Sequence, residues 1–277
     1  MGTLYLVGTP IGNLGDFSPR AAAVLEQCSF IAAEDTRVTR KLLSHFGISK
    51  PMVSYHQHNM RERGPQIVAR ILAGEDCALV TDAGMPAISD PGEDLVRLCA
   101  EAGILVLSAP GPTAALTALA LSGLPSARFC FEGFLPVDRQ ERRSRLSELT
   151  AERRTMIFYE APHKLRATLD DLCAAFGGQR RIALGRELTK LHEEMLRITL
   201  QEACERYDTV EPRGEFVLIV EGTSAPSSAP CDPEQAAKLA RHLMAEGMSP
   251  SAAARQAAAE TGLRKGEIYR LLTTRED

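Results

Sequence analysis

Apolar positions along this chain fall into two interleaved patterns. Short unbroken runs, "LYLVG", "FIAAE", "MVSYH", "CALVTD" and "ILVLSAP", recur between Leu4 and Pro110. A second series follows: "FCFEGF", "TMIFYEA", "RIALGREL" and "EFVLIVEG". Runs of four to eight apolar residues bounded by Gly, Pro or polar clusters predict strands. Segments of helical period lie between them, so the whole predicts an α/β architecture. The helix punctuation is explicit in places. Ser18-Pro19 reads as an N-cap and an N1 proline opening "RAAAVLEQC", and Asp90-Pro91 repeats that grammar before "GEDLVRLCAEAG", with Gly103 at the C′ position. "GPTAALTALALSG" begins at Pro112 or Thr113 and stops at Gly123.

The break "GLPSAR" separates the two strand series and predicts two consecutive α/β lobes, 1–124 and 125–222. The Pro/Ser/Ala stretch 223–233 reads as a linker. Beyond it, 234–277 carries three short helical patterns ended by glycine. That module has the proportions of a helix-turn-helix, and equally those of a plain three-helix tail.

Charge and cysteine usage narrow the setting. A net charge of −4 excludes a generally basic coat, so any nucleic-acid contact must come from local patches. The seven cysteines are scattered and never spaced as C-x-x-C, which supplies neither a zinc site nor a disulfide framework and fits a reducing cytoplasm. The longest apolar run, "TAALTALALSGL", is too short for a bilayer, and the first residues form no signal-peptide core. A soluble cytoplasmic protein without metal or membrane partner is the expectation.

Candidate chemistry gathers where strands end, the side of an open α/β sheet on which ligands bind. Five successive strand ends run into "TPIGNLGD", "DTRVTRKLL", "QHNM", "AGMPAISDPG" and "PGPTA". None holds a G-x-G-x-x-G or a G-x-x-x-x-G-K, the backbone donor sets that cradle phosphates. Prolines, small residues and the acidic Asp82 and Asp90 suit a ligand with little negative charge, recognised through adenine, ribose and an amino-acid end. S-adenosyl-L-methionine (SAM), with its positive sulfonium, is such a ligand.

"VGTPIGNLGDFSPRA", "AAEDTRVTRKLLSHFGI", "SYHQHN", "ALVTDAGMPAISDPG", "PGPTAALTALALSGLP", "FEGFLP", "FYEAPHKL" and "RELTKLHEE" stand in this order in the chain. Together they resemble the ribosomal RNA small subunit methyltransferase I family of the tetrapyrrole-methylase superfamily. The resemblance covers residues 2–222, and the tail is similar to the family's C-terminal module. Three positions depart from the usual pattern: Met85 for Thr, Met60 for Glu and Lys164 for Arg. Met85 puts in question only a side-chain hydroxyl at that place.

The resemblance implies SAM-dependent 2′-O-methylation of a cytidine ribose in the decoding region of 16S rRNA in the small ribosomal subunit, by a homodimer. It implies a cofactor cleft between the lobes, held by Pro10, Asp82, Gly84, Ile88, Thr113, Ala114, Tyr159 and Leu188. Several of these have plainer readings. Pro10 can shape a turn, Asp90 can cap a helix, and Tyr159 can cover the core. Asp82 favours function, since a carboxylate ending a buried strand costs several kcal/mol unless paired.

Positioning alone supplies much of a displacement reaction, so a general base is not required. Asp35 and Lys190 are the candidates for one, with Glu34, Glu160 and Glu187 also near strand ends; the favoured alternative for Asp35 is an internal pair with Arg37. RNA contact is expected from Arg142, Arg143 and Arg145 in the arginine-rich segment Asp138 to Arg154, and from Arg37, Arg40 and Lys41. A solvated amphipathic helix is the competing account of that segment. His56 and His58 alternate, so a continuing strand would point them to opposite sides. Two rival functions remain open: a corrin or porphyrin methyltransferase, and a non-catalytic RNA-binding assembly factor. A nicotinamide oxidoreductase is disfavoured by the missing fingerprint.

Overall fold

The computed structural model describes residues 1–223, 233–245, 248–261, 263 and 265–273. They form two compact units, Met1–Gly222 and Thr223–Asp277. The stretch expected as a linker falls, apart from its first and last residues, outside the described residues.

The chain opens with β1 (Thr3–Val7), α1 (Pro19–Gln27), β2 (Phe30–Ala33), α2 (Thr36–His45), β3 (Met52–Ser54), α3 (Met60–Leu72), β4 (Cys77–Val80), α4 (Glu93–Glu101) and β5 (Leu105–Ala109). The five strands make one parallel sheet in the order β3-β2-β4-β1-β5. Its inner strands β2 and β4 are buried at every residue, which is why they read as unbroken apolar runs. Leu4, Phe30 and Leu79 pack with Ile67, Ile71 and Leu95 of α3 and α4 on one face. Val7, Ile31 and Val80 pack with Ala21, Leu25 and Leu43 of α1 and α2 on the other. Each large apolar side chain so buried contributes about 1.5–3 kcal/mol.

Ser18 caps α1 through the Ala21 amide, with Pro19 in the first turn. The parallel expectation for Asp90 is corrected. Helix α4 begins at Glu93 behind Gly92, with no side-chain cap. Pro91 and Gly92 form a further turn that separates Asp90 from the helix, so its carboxylate cannot reach the first-turn amides.

Next come α5 (Ala114–Ser122), β6 (Phe129–Gly133), α6 (Arg139–Leu149), β7 (Thr155–Glu160), α7 (Leu165–Phe176), β8 (Arg181–Arg186), β9 (Glu194–Thr199), α8 (Leu200–Thr209) and β10 (Phe216–Val220). The second sheet runs β6-β7-β10-β8-β9; β6 is parallel to β7 and the remaining pairs are antiparallel. Strand β9 is an addition to the sequence reading. As a half-exposed edge strand mixing Glu194 and Arg197 with Leu196 and Ile198, it lacks the apolar run that marks its neighbours.

Alternation along β7, β8 and β10 splits the second lobe's core. Phe158, Leu184 and Leu218 face α6, α7 and α8. Ile157, Ala183, Val217 and Ile219 face α5, whose Ala115, Ala118 and Leu119 lie against them. Helix α5 therefore follows the first sheet in the chain and packs on the second.

The other unit consists of α9 (Pro233–Ala245), α10 (Pro250–Thr261) and α11 (Lys265–Thr273). Ala236, Ala240, Ala253, Ala254 and Ala257 form its core with Leu243 and Ile268, small side chains that let helices approach closely. No helix among the described residues is long and apolar enough to cross a membrane.

Candidate active site between the two lobes

Neighbouring strands β4 and β1 send their connections in opposite directions along the sheet, one toward β5 and the other toward β2. Their carboxyl ends thus form a switch point, where diverging loops leave a crevice. The loops are joined there by a two-way bridge: Thr9 donates its amide to the Gly84 carbonyl (2.9 Å), and Gly84 returns one to Thr9 (3.1 Å). Beside the bridge, Gly8 and Gly111 pass so closely that a Cβ on Gly8 would stand 2.6 Å from the Gly111 backbone and 2.8 Å from the Met85 sulfur. The Gly111 amide donates to that sulfur at 3.3 Å. Met85 thus supplies a side-chain acceptor at the place where the resemblance leads one to expect a threonine hydroxyl.

A cavity of about 490 Å³ opens from this floor toward the second lobe. Ile11, Gly84, Met85, Ile88, Ser89, Asp90, Thr113 and Ala114 line it from one side. Phe134, Tyr159, Glu160, Leu188, Glu215 and Val217 line it from the other. The size is that of a site for a cofactor or small substrate. No Lys or Arg stands in the lining, whereas Asp90, Glu160 and Glu215 do. Such a wall repels a phosphate and accommodates a cation, so the residues fit SAM. Burial first, then the Glu34 and Asp82 carboxylates, push Asp90 up to about 6.

Tyr159 holds its ring in the wall by accepting the Ala115 amide on its hydroxyl (3.2 Å), so the second lobe pins the start of α5. Thr113 caps the same helix through the Leu116 amide. Left-handed non-glycine residues flank a lining residue on each side: Ala87 (φ 67°) and Ser89 (64°) around Ile88, Glu187 (50°) and Thr189 (66°) around Leu188. Such conformations cost about 1–3 kcal/mol each and tend to gather where a ligand is gripped.

Of the eight residues expected around a cofactor, six line this cavity: Gly84, Ile88, Thr113, Ala114, Tyr159 and Leu188. Pro10 and Asp82 line a neighbouring hollow of about 370 Å³, which shares Ile11, Ala83 and Glu215 with it. Asp82 is exposed, because the buried run through β4 ends one residue past the strand, at Thr81; its carboxylate accepts the Asp35 amide at 3.2 Å. The sequence reading missed Phe134, Glu215 and Val217. Strand β10 runs antiparallel to β7, so its beginning rather than its end reaches the cleft, and strand carboxyl ends alone do not find it.

The two candidate bases are engaged otherwise. Asp35 caps α2 through the Arg37 amide and pairs with the Arg37 guanidinium at 2.6 Å, contacts that hold it down to about 2. Burial alone would lower Lys190, but its bonds to Glu187 and Glu215, each 2.9 Å, leave it above the usual lysine range. Among the arginines of α6, Arg142 is largely buried against Asp171 and Thr168, and Arg145 bridges Glu132 and Glu148. Arg143 lines shallow hollows on the outer surface. Arg37, Arg40 and Lys41 are exposed on α2, with Lys41 at the rim of the smaller hollow. The condition attached to the two histidines is not met. Strand β3 stops at Ser54, the chain turns, and the His56 and His58 rings meet edge-on at 6.0 Å instead of facing apart.

Two family models match: Tetrapyrrole (Corrin/Porphyrin) Methylases over residues 3–204, and the RsmI C-terminal HTH domain over 230–275. The chain is 48% identical over 271 residues to the ribosomal RNA small subunit methyltransferase I of a Synechocystis strain, covering 98% of this chain and 97% of that one. It is 46% identical to the protein of the same name from Pseudomonas aeruginosa, covering 99% and 98%. A crystal structure of Thermus thermophilus uroporphyrin-III C-methyltransferase complexed with S-adenosyl homocysteine shares the fold, with a TM-score of 0.56 at 19% identity over 79% of this chain and 97% of that one.

Proposed function

This chain belongs to the ribosomal RNA small subunit methyltransferase I family, and from that premise we propose that it transfers a methyl group from SAM to the 2′-oxygen of a cytidine ribose in the decoding region of 16S rRNA. The observation that carries the cofactor assignment is the cavity wall, apolar and acidic without a single cation. Bound SAM supplies an electrophilic methyl on a positive sulfur. Asp90 balances that charge, since the Glu215 carboxylate is already paired with Lys190. The amino end of α5, capped by Thr113, offers the Ala114 amide and a favourable dipole to the methionine carboxylate. Ile88, Tyr159 and Leu188 enclose the adenosine, while Pro10 and Asp82 reach it from the smaller hollow.

Asp35 and Lys190 act in this proposal by fixing loops. Asp35, held low by Arg37, is a weak proton acceptor, and Lys190 stays charged between two carboxylates. The chain's contribution is to orient the acceptor and exclude water, worth an effective molarity of roughly 10⁵–10⁸ M. Arg37, Arg40 and Lys41 meet RNA phosphates beside the cleft. The exposed Leu105 and Leu107 on edge strand β5 are surface that a second copy of the chain would cover in a homodimer. The protein works in the cytoplasm, where its substrate is assembled.

Calorimetric titration tests the cofactor assignment. We expect one SAM per chain and no binding of NADH or ATP. A protein that takes up no SAM would instead be a non-catalytic assembly factor.

A further inference from the structure

Strand β6 does not run regularly to its end. Phe131 pairs with Ile157, but the next partner of Phe158 is Gly133, so Glu132 is the extra residue of a bulge. Gly133 takes a φ of 63°, and a Cβ there would stand 3.3 Å from the Ser89 hydroxyl of the opposite wall. Bulges bend a strand and re-aim the side chain that follows. Here the re-aimed side chain is Phe134, which joins the cavity lining although it is 59% exposed. The bulge is tied from behind, since the buried Glu132 carboxylate accepts from Arg145 on α6 at 2.9 and 2.6 Å. The Phe134 ring leans on Tyr159 (centroids 5.6 Å apart, planes at 60°), and Tyr159 cannot swing away while its hydroxyl holds the Ala115 amide. A large aromatic ring is thus fixed at the cavity mouth with much of its surface in water.

A ring that enclosed the cofactor would be expected deeper in the wall, as Tyr159 is. What reaches the mouth is the methyl acceptor, because the attacking oxygen must approach from the side opposite the sulfur. A nucleotide presenting its ribose there has left its own stack, and its base needs a new partner. Aromatic side chains serve that purpose in single-stranded RNA recognition.

We propose that Phe134 is the platform on which the base of the methyl-accepting nucleotide stacks, and that the Glu132–Arg145 pair positions it. The proposal rests on the rRNA-methyltransferase reading above. It gives Arg145 a positioning role in place of a phosphate contact.

Full-length wild type, Phe134→Ala, Phe134→Leu, Phe134→Tyr and Arg145→Ala are compared by SAM calorimetry and by steady-state transfer to unmethylated small subunits. Phe134→Ala should keep its SAM affinity within twofold and lose roughly 5- to 150-fold in kcat/KM for the subunit. Phe134→Tyr should retain most activity, and Phe134→Leu should resemble the alanine variant. Arg145→Ala should lower kcat/KM without changing the salt dependence of RNA binding, whereas loss of a phosphate contact would reduce that slope by about one. Weakened SAM binding in Phe134→Ala with an unchanged KM for subunits would place the ring in the cofactor wall and overturn the proposal. Wild-type behaviour of Phe134→Leu would reduce the ring to an apolar filler, with the same consequence. A wild type that binds SAM and labels no RNA removes the functional reading itself, and the platform with it.

Discussion

Asp90 carries a cost in the free protein that a cationic ligand relieves. Its carboxyl titrates near 6 because it is half buried and faces the Glu34 and Asp82 carboxylates from the ends of β2 and β4. An ordinary aspartate titrates near 3.8, so between that value and about 6 the folded state holds more protons than the unfolded one. Stability contributed by this group therefore falls as pH rises through that window, and the full cost is present above it. Asp90→Asn should melt at a higher temperature than the parent near pH 8, with the difference shrinking toward pH 4 in thermal scans. The same substitution should weaken SAM binding about tenfold, or ~1.4 kcal/mol. Wild-type affinity should decline as pH drops below about 6, measurable by calorimetry from pH 8 to 5. A destabilised Asp90→Asn at pH 8 would contradict the assigned charge balance.

At the level of elements, the crossing of β1 and β5 beyond their ends has no room for a side chain. Gly111→Ala would bring a methyl group to 2.9 Å from the Gly8 backbone and should cost about 1–3 kcal/mol in urea denaturation. Helix α6 separates into inward and outward arginines. Arg142→Ala removes a half-exposed ion pair with Asp171 and a hydrogen bond to Thr168 and should cost about 0.5–1.5 kcal/mol of stability, while Arg143→Ala should leave the melting curve unchanged. If α6 touches RNA, it is Arg143 whose loss flattens the salt dependence of binding.

These cases also mark how far the sequence could be read. Strands β2 and β4 were legible because both of their faces are covered, which leaves an unbroken apolar run. The edge strand β9 was not, since one polar and one apolar side at half burial resembles a loop. Six of the positions expected from family motifs line one cavity. Asp90 was ambiguous because Asp-Pro is also helix-start grammar, and only the turn through Pro91 and Gly92 decides it. Phe134 was hidden because a one-residue bulge changes where a side chain points without leaving any periodicity. The pairing of Arg142 and Arg145 with acids on other elements is tertiary, and an arginine-rich stretch looks the same whether its cations face inward or outward.

For the whole molecule, all the lining residues fall between Ile11 and Val217, inside the first compact unit. A chain ended after Gly222 should therefore keep its SAM affinity, and a loss of more than a few-fold in calorimetry would show that the cofactor site depends on the helical unit. What receives the methyl group decides the function of the whole molecule. The most direct test incubates the protein with methyl-labelled SAM and small ribosomal subunits from a strain lacking the enzyme, then maps the label by nuclease and alkaline digestion. Label is expected on the 2′-oxygen of a cytidine, read as an alkali-resistant dinucleotide from the decoding region. Label on a base, or SAM bound and consumed with no RNA labelled, would contradict it.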